Sequence, residues 1–162
     1  MDGRVHPGLR GGLPPARAPR LPGAAALVQH WRDVVFVHWA VEPEAVAGLL
    51  PPGTRPDVLE GRTDVGLVAF RVAAPRLFGA VPTGAFDEAN VRLYSVDDQG
   101  RQGVVFLSMD ADALPSVLAG RALAGVPYMW SDVSLATGPT GTAGALRRRF
   151  PGPPAAGHWH AA

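Results

Sequence analysis

A few polar and ionisable residues stand inside otherwise apolar stretches of this sequence. Glu88 and Asn90 open an apolar segment that also holds Arg92 and Tyr94. Arg32 and Asp33 lie between Trp31 and Phe36, Asp110 and Asp112 close another segment, and Arg121 sits in a small-residue helical stretch. An arginine able to hold an anion beside a carboxylate able to move a proton is the minimum equipment of a site for an anionic or carbonyl-bearing molecule. The same residues also suit structural ion pairs at strand ends, because a buried charge needs a partner. The sequence leaves both readings open. His38 alternates with Val34 and Phe36, the setting of a hydrogen-bonded core histidine. There is no Gly-x-Ser-x-Gly, phosphate loop, His-Glu-x-x-His or dinucleotide fingerprint. His158 and His160 share one side of an extended chain but have no third ligand in view, so no metal site is expected.

The elements that would carry these residues are mainly strands. "DVVFVHWAV" (33–41) is nearly continuous Val, Phe and Trp, the pattern of a strand covered on both faces. "EPEAVAGLLPPG" reads as a short helix that starts at Pro43 and stops at Pro51-Pro52-Gly53. Two hairpins are expected next, one turning at Glu60-Gly61-Arg62 and the other around Asp97-Asp98-Gln99-Gly100. After Asp112, Leu114, Val117, Leu118 and Arg121 fall at helical spacing, and Gly125 and Pro127 end the helix. Arg121 is therefore expected on the inward face. The corner that follows, Gly125-Val126-Pro127-Tyr128-Met129-Trp130, is either a cavity wall or only a turn.

Composition sets the outer bounds. The 162 residues, 47% of them hydrophobic, suffice for one domain. Residues 1–26 hold five prolines and four arginines without an apolar period and read as a flexible leader. A packed domain is expected over 27–132. From 133 to 162, Gly, Pro, Ala and Thr replace strand-forming residues, so a disordered tail is expected, with Arg147, Arg148 and Arg149 as solvated charges. The formal net charge of +1 predicts neither a nucleic-acid groove nor a membrane-binding patch. No apolar run reaches membrane-spanning length, and the start lacks a signal-peptide core, so the cytoplasm is the expected location. The absence of cysteine excludes disulfides and thiolate chemistry. All fifteen basic residues are arginine, which removes every reaction that needs a lysine amine.

"WRDVVFVHWAVEPEAVAGLLPPG", "GRTDVGLVAFRV", "FDEANVRLYSVDD", "GVVFLSMDAD" and "GRALAGVPYMW" resemble, in order, motifs of the uncharacterised YqjF-like family within the acetoacetate decarboxylase-like superfamily. The resemblance covers about residues 27–132. It implies an antiparallel β-barrel or cone with short peripheral helices around a cavity. In the decarboxylases proper, the segment similar to "GRALAGVPYMW" carries two lysines directly after the proline, and the first forms the Schiff base. Here those places hold Tyr128 and Met129. By motif position, the decarboxylases' arginine near the first strand and glutamate before a later strand fall on Arg32 and Glu88. Family members continue with strands that complete the barrel, so this chain reads as a C-terminally truncated, incomplete barrel with open sheet edges that invite homo-oligomers.

The expected function is binding of a small anionic or carbonyl-bearing ligand by Arg32, Glu88, Arg121 and Tyr128. Arg32 or Arg121 would hold the anion, Glu88 would accept or donate a proton, and Tyr128 would orient an oxygen. No cofactor is expected. Schiff-base decarboxylation is excluded because no side chain supplies an amine; tyrosine cannot become an imine, and methionine can only pack. Two alternatives stay open: a lysine-independent lyase or hydratase acting on a keto acid through Glu88 and Tyr128, and a non-functional fragment.

Overall fold

The computed structural model describes residues 23, 25, 27–77, 81, 82 and 84–161. Most of the expected leader, 1–26, lies outside the described residues. The architecture is mainly β: a single sheet that curls into an open half-barrel. Its strands are β1 (Leu27–Val41), β2 (Thr54–Pro56), β3 (Thr63–Leu77), β4 (Val81–Pro82), β5 (Phe86–Asp97), β6 (Gln102–Ala111), β7 (Tyr128–Gly138), β8 (Gly141–Phe150) and β9 (Ala156–Ala161). The main path runs β1-β3-β5-β6-β7-β8-β9, with β2 paired to β5 and β4 to β3.

Local chemistry accounts for the punctuation. Helix α1 (Pro43–Ala47) has proline in its first turn, where no amide hydrogen is needed. Asp97 Oδ1 accepts from the amides of Gln99 and Arg101, closing the β5–β6 hairpin where the sequence places it. The other expected hairpin is reduced to a single antiparallel bridge, in which Leu59 and Arg62 exchange backbone hydrogen bonds of 2.8 and 3.0 Å. The chain does turn at Glu60-Gly61, both at positive φ, but β2 pairs with β5 through Thr54 and Asp97 rather than with β3. A turn signal fixes a reversal; it does not fix which strand the short arm joins.

All neighbouring strands run antiparallel except β6 and β7, which pair in parallel over Met109–Ala111 and Tyr128–Trp130. A parallel pair needs a crossover. Helix α2 (Leu114–Ala119) and a π-helical turn (Gly120–Ala124) supply it, ending at Gly125 with φ of 65°. Val117 is the residue of α2 that is buried; Leu118 and Arg121 are exposed, contrary to the inward face expected for them.

Residues 133–161 do not form the expected tail. They hold the end of β7, a tight hairpin into β8, and β9. Leu135, Leu146 and Trp159 pack on buried Ala69, Ala89 and Val133. Gly144 carries no side chain because the Trp159 ring lies on its backbone, where a Cβ would collide. Arg148 belongs to this packing too: its Nε and Nη2 donate to the two carboxylate oxygens of Asp110, each at 2.8 Å. Arg147 and Arg149 pair instead with exposed Asp132. Pairing with neighbours, not intrinsic strand propensity, makes these segments strands.

β1 also departs from expectation. It pairs only with β3 on the sheet path, and Trp31, Phe36 and Trp39 are 52%, 54% and 51% exposed, so this apolar strand is an edge rather than a strand covered on both faces.

Candidate functional site

The sheet has two faces, and register decides which residues share one. Residues directly opposite one another across a ladder point the same way, and neighbours along a strand point opposite ways. Phe70, Glu88, Ala111 and Trp130 form one row; Val68, Asn90, Met109 and Tyr128 form the next row of the same face. Helix α2 covers this face through Val117, completing a core of Val68, Phe70, Val72, Phe86, Ala111 and Tyr128.

Glu88 lies inside that core at 2% exposure. The Tyr128 hydroxyl donates to its Oε2 at 2.7 Å, and Asn90 Nδ2 donates to Oε1 at 3.4 Å. Ala111, a methyl group on the strand between them, leaves Glu88 and Tyr128 room to meet above β6. No cation lies within ion-pair distance of Glu88 among the described residues. Burial therefore raises the Glu88 pKa above its ordinary value, and the bonds from Tyr128 and Asn90 offset only part of that. Burial, the Glu88 charge and the shared hydrogen bond push the Tyr128 phenol well up, so it stays protonated.

The crossover places Tyr128. A Cβ at Gly120 would overlap the Tyr128 ring, so only glycine lets the π-helical turn approach this closely. Arg121 Nη1 donates to the Tyr128 carbonyl at 2.8 Å, tying the turn to the start of β7. The corner is therefore a turn that also positions the Tyr128 ring.

Of the four residues expected in the site, the structure brings together Glu88 and Tyr128, and ties exposed Arg121 to the Tyr128 carbonyl rather than to that side-chain pair. It does not bring Arg32. Arg32 is exposed and opposite Arg71, which is opposite Asp87, so it points to the face away from Glu88. A bulge between Arg32 and Val35, with Asp33 at φ of 53°, marks the position.

The remaining ionisable candidates divide between the faces. On the far side, Arg71 makes a two-point contact with Asp87 at 2.7 and 2.9 Å, and Asp110 holds Arg148 and accepts from Ser131 Oγ at 2.6 Å. Those are structural ion pairs. On the Glu88 side, Arg92 donates from Nε to the Tyr94 hydroxyl at 3.1 Å, and His38 Nε2 lies 2.7 Å from the same oxygen. His38 is exposed rather than a core residue. Asn90 is a site member missed as a candidate, and its signal was available: Glu88, Asn90, Arg92 and Tyr94 occupy alternate positions of one strand, so they share a face.

Residues 28–160 match the family DUF2071, described as an uncharacterized conserved protein. An uncharacterized protein, YqjF of Bacillus subtilis (strain 168), is 32% identical over 108 residues, which are 65% of this chain and 44% of that protein. An acetoacetate decarboxylase from Legionella pneumophila superposes with a TM-score of 0.60 at 19% identity, over 80% of this chain and 49% of that one. An acetoacetate decarboxylase-like enzyme from Sphingomonas wittichii RW1 gives 0.58 at 21%, over 76% and 53%. The enduracididine biosynthesis enzyme MppR, complexed with pyruvate, gives 0.52 at 20%, over 71% and 51%. At these identities the structural likeness is one of fold. The chain spans about half the length of the proteins it matches.

Proposed function

The chain belongs to the DUF2071 family, and from that premise we propose that it binds a small carbonyl-bearing or anionic molecule at the Glu88–Tyr128 pair without forming a Schiff base. The observation that carries this reading is a buried carboxyl joined to a phenol at 2.7 Å with no cation beside it among the described residues. A core that needed only stability would gain nothing from an unpaired carboxyl; a site that must give and take a proton requires one. When Glu88 holds its proton, that proton can be donated to the Tyr128 oxygen, which frees the phenol hydrogen for a ligand oxygen, and Arg121 fixes the backbone from which Tyr128 projects. The fold shared with acetoacetate decarboxylase-like proteins supports a small-molecule site. Without lysine, no side chain can form an imine.

A second reading, a lyase or hydratase step on a keto acid, is favoured by the raised Glu88 pKa alone, which suits a general base. Exchange of deuterium from solvent into the carbon next to a bound ketone separates the two, since only a catalyst accelerates it. The proposal further includes a cytoplasmic location and self-association through the open edges of the sheet. Among the described residues no helix is long and apolar enough to cross a membrane.

The test uses acetoacetate. The chain should release no carbon dioxide above buffer, and borohydride should trap no adduct at a side chain. Tyr128→Lys should introduce a lysine of lowered pKa that borohydride can trap with a ketone, because the position is buried. A trapped adduct within residues 119–130 of the unaltered chain would overturn the assignment. An introduced lysine that titrates like a free one would show that the position is not a cavity wall.

A further inference from the structure

Two arginines in the described residues are partly buried, and they differ in one respect. Arg148 has a carboxylate; Arg92 has none within ion-pair distance among the described residues. The Arg92 guanidinium instead lies 5.3 Å from the Phe36 ring centroid and 5.5 Å from that of Tyr94. Its Nε is taken by the Tyr94 hydroxyl, whose own proton is then left for His38 Nε2. Neither Nη atom has an acceptor among the described residues. Two residues back on the same face, Asn90 is 3% exposed and its Oδ1 has no hydrogen-bond partner among the described residues. A buried acceptor left open in this way costs stability unless something fills it.

Gly66 shows that the cluster is fitted closely. It lies opposite both His38 and Arg92, and a Cβ there would come within 3.0 Å of the Tyr94 hydroxyl and 3.3 Å of His38 Nε2. The sheet thus holds one guanidinium over two aromatic rings, its outer nitrogens without acceptors among the described residues, beside an open amide oxygen about 7 Å along the strand. Planar, forked donors of this kind match a carboxylate.

We propose that Arg92 is the carboxylate-binding residue of the site, and that the ligand is a small hydroxycarboxylic acid laid along β5, its carboxylate on Arg92 and its hydroxyl donating to Asn90 Oδ1. This deepens the reading of the Glu88–Tyr128 pair and rests on it for the far end of the ligand. It transfers the anion-holding role from Arg32, on the opposite face, and from Arg121, whose guanidinium is engaged by the Tyr128 carbonyl.

Titration of the full chain, followed by NMR, with 3-hydroxybutyrate, its methyl ester and 2-butanone tests the two readings separately. Arg92→Gln should weaken 3-hydroxybutyrate binding about tenfold or more, as expected for loss of a charge-assisted contact. Arg92→Lys should fall in between. The ester should bind the unaltered chain at least tenfold more weakly than the acid, which keeps the test valid if Arg92→Gln does not fold. No binding of 3-hydroxybutyrate, equal binding of acid and ester, or unchanged affinity in a folded Arg92→Gln would each overturn the assignment. Binding of 2-butanone should be unaffected by Arg92→Gln and lost in Tyr128→Phe. If 2-butanone does not bind while the acid binds through Arg92, the reading of the Glu88–Tyr128 pair fails and the anion seat stands.

Discussion

The two faces of the sheet solve the same problem differently. Asp110 and Glu88 are about equally buried, at 1% and 2% exposure, and face opposite ways. Asp110 is answered by a two-point arginine and a serine hydroxyl, so its charge is matched and every partner is occupied. Glu88 is answered by a phenol and an amide, which solvate a carboxyl without neutralising it. A matched pair fixes structure; an unmatched one keeps a proton in play. The contrast marks Asp110 as an ion pair and supports the proposal of a site at Glu88, where the sequence left both readings open.

The largest effect should come from breaking the matched side. Arg148→Ala leaves Asp110 buried and unpaired and should cost about 3–5 kcal/mol, read from urea unfolding. Restoring neutrality with Asp110→Asn in the same chain should recover part of that loss. A cost below about 1 kcal/mol would place Asp110 in the category of surface pairs and dissolve the contrast.

An intermediate effect is expected from Gly120→Ala. The added methyl must displace the Tyr128 ring or the π-helical turn, with an overpacking cost of about 1–3 kcal/mol. Loss of the Tyr128 hydroxyl resonance shared with Glu88, seen by NMR, should accompany it. A variant that keeps both stability and that resonance would show that the turn yields freely and does not position Tyr128.

The smallest effect is the most diagnostic. Because burial raises the Glu88 pKa above the ordinary 4.5, the folded chain binds this proton more tightly than the unfolded chain does. The associated stability is complete below the unfolded value and is lost as pH rises through the folded one. Glu88→Gln removes that dependence. The stability difference between the two chains should therefore shift in favour of Glu88→Gln as pH rises from about 4.5, measured by denaturation across pH. A difference independent of pH would mean that Glu88 titrates alike in both states.

How much of this could be read from residues alone depends on which signal each element carried. The β5–β6 hairpin was legible because Asp97 closes its own turn, a local act. The crossover helix was legible in outline, since Gly125 and Pro127 stop it, but its inward face was not. A π-helical turn shifts the angular spacing, and Arg121 leaves the stripe that Val117 begins. β8 and β9 were hidden because their alanines and glycines carry no strand signal, and their strand identity comes from neighbours. Arg148 was hidden among three arginines, since charge patterning cannot say which of them turns inward. In the site, Glu88, Arg121 and Tyr128 were visible as isolated polar residues in apolar runs. Arg32 was misplaced because a bulge and strand parity, not distance along the chain, set its face.

The parallel seam between β6 and β7 also sets an order of events in time. Glu88 and Tyr128 are 40 residues apart, too far for an early contact in an extended chain. Once the β5–β6 hairpin zips, Glu88 is already beside Ala111, and the interval left to close is the crossover alone. Loop closure over that shorter interval carries a smaller entropic cost. The pair therefore forms after the barrier, when the crossover docks on a sheet already built. Weakening it should leave the folding rate nearly unchanged and hasten unfolding, so Glu88 and Tyr128 govern how long the native state lasts more than how fast it is reached.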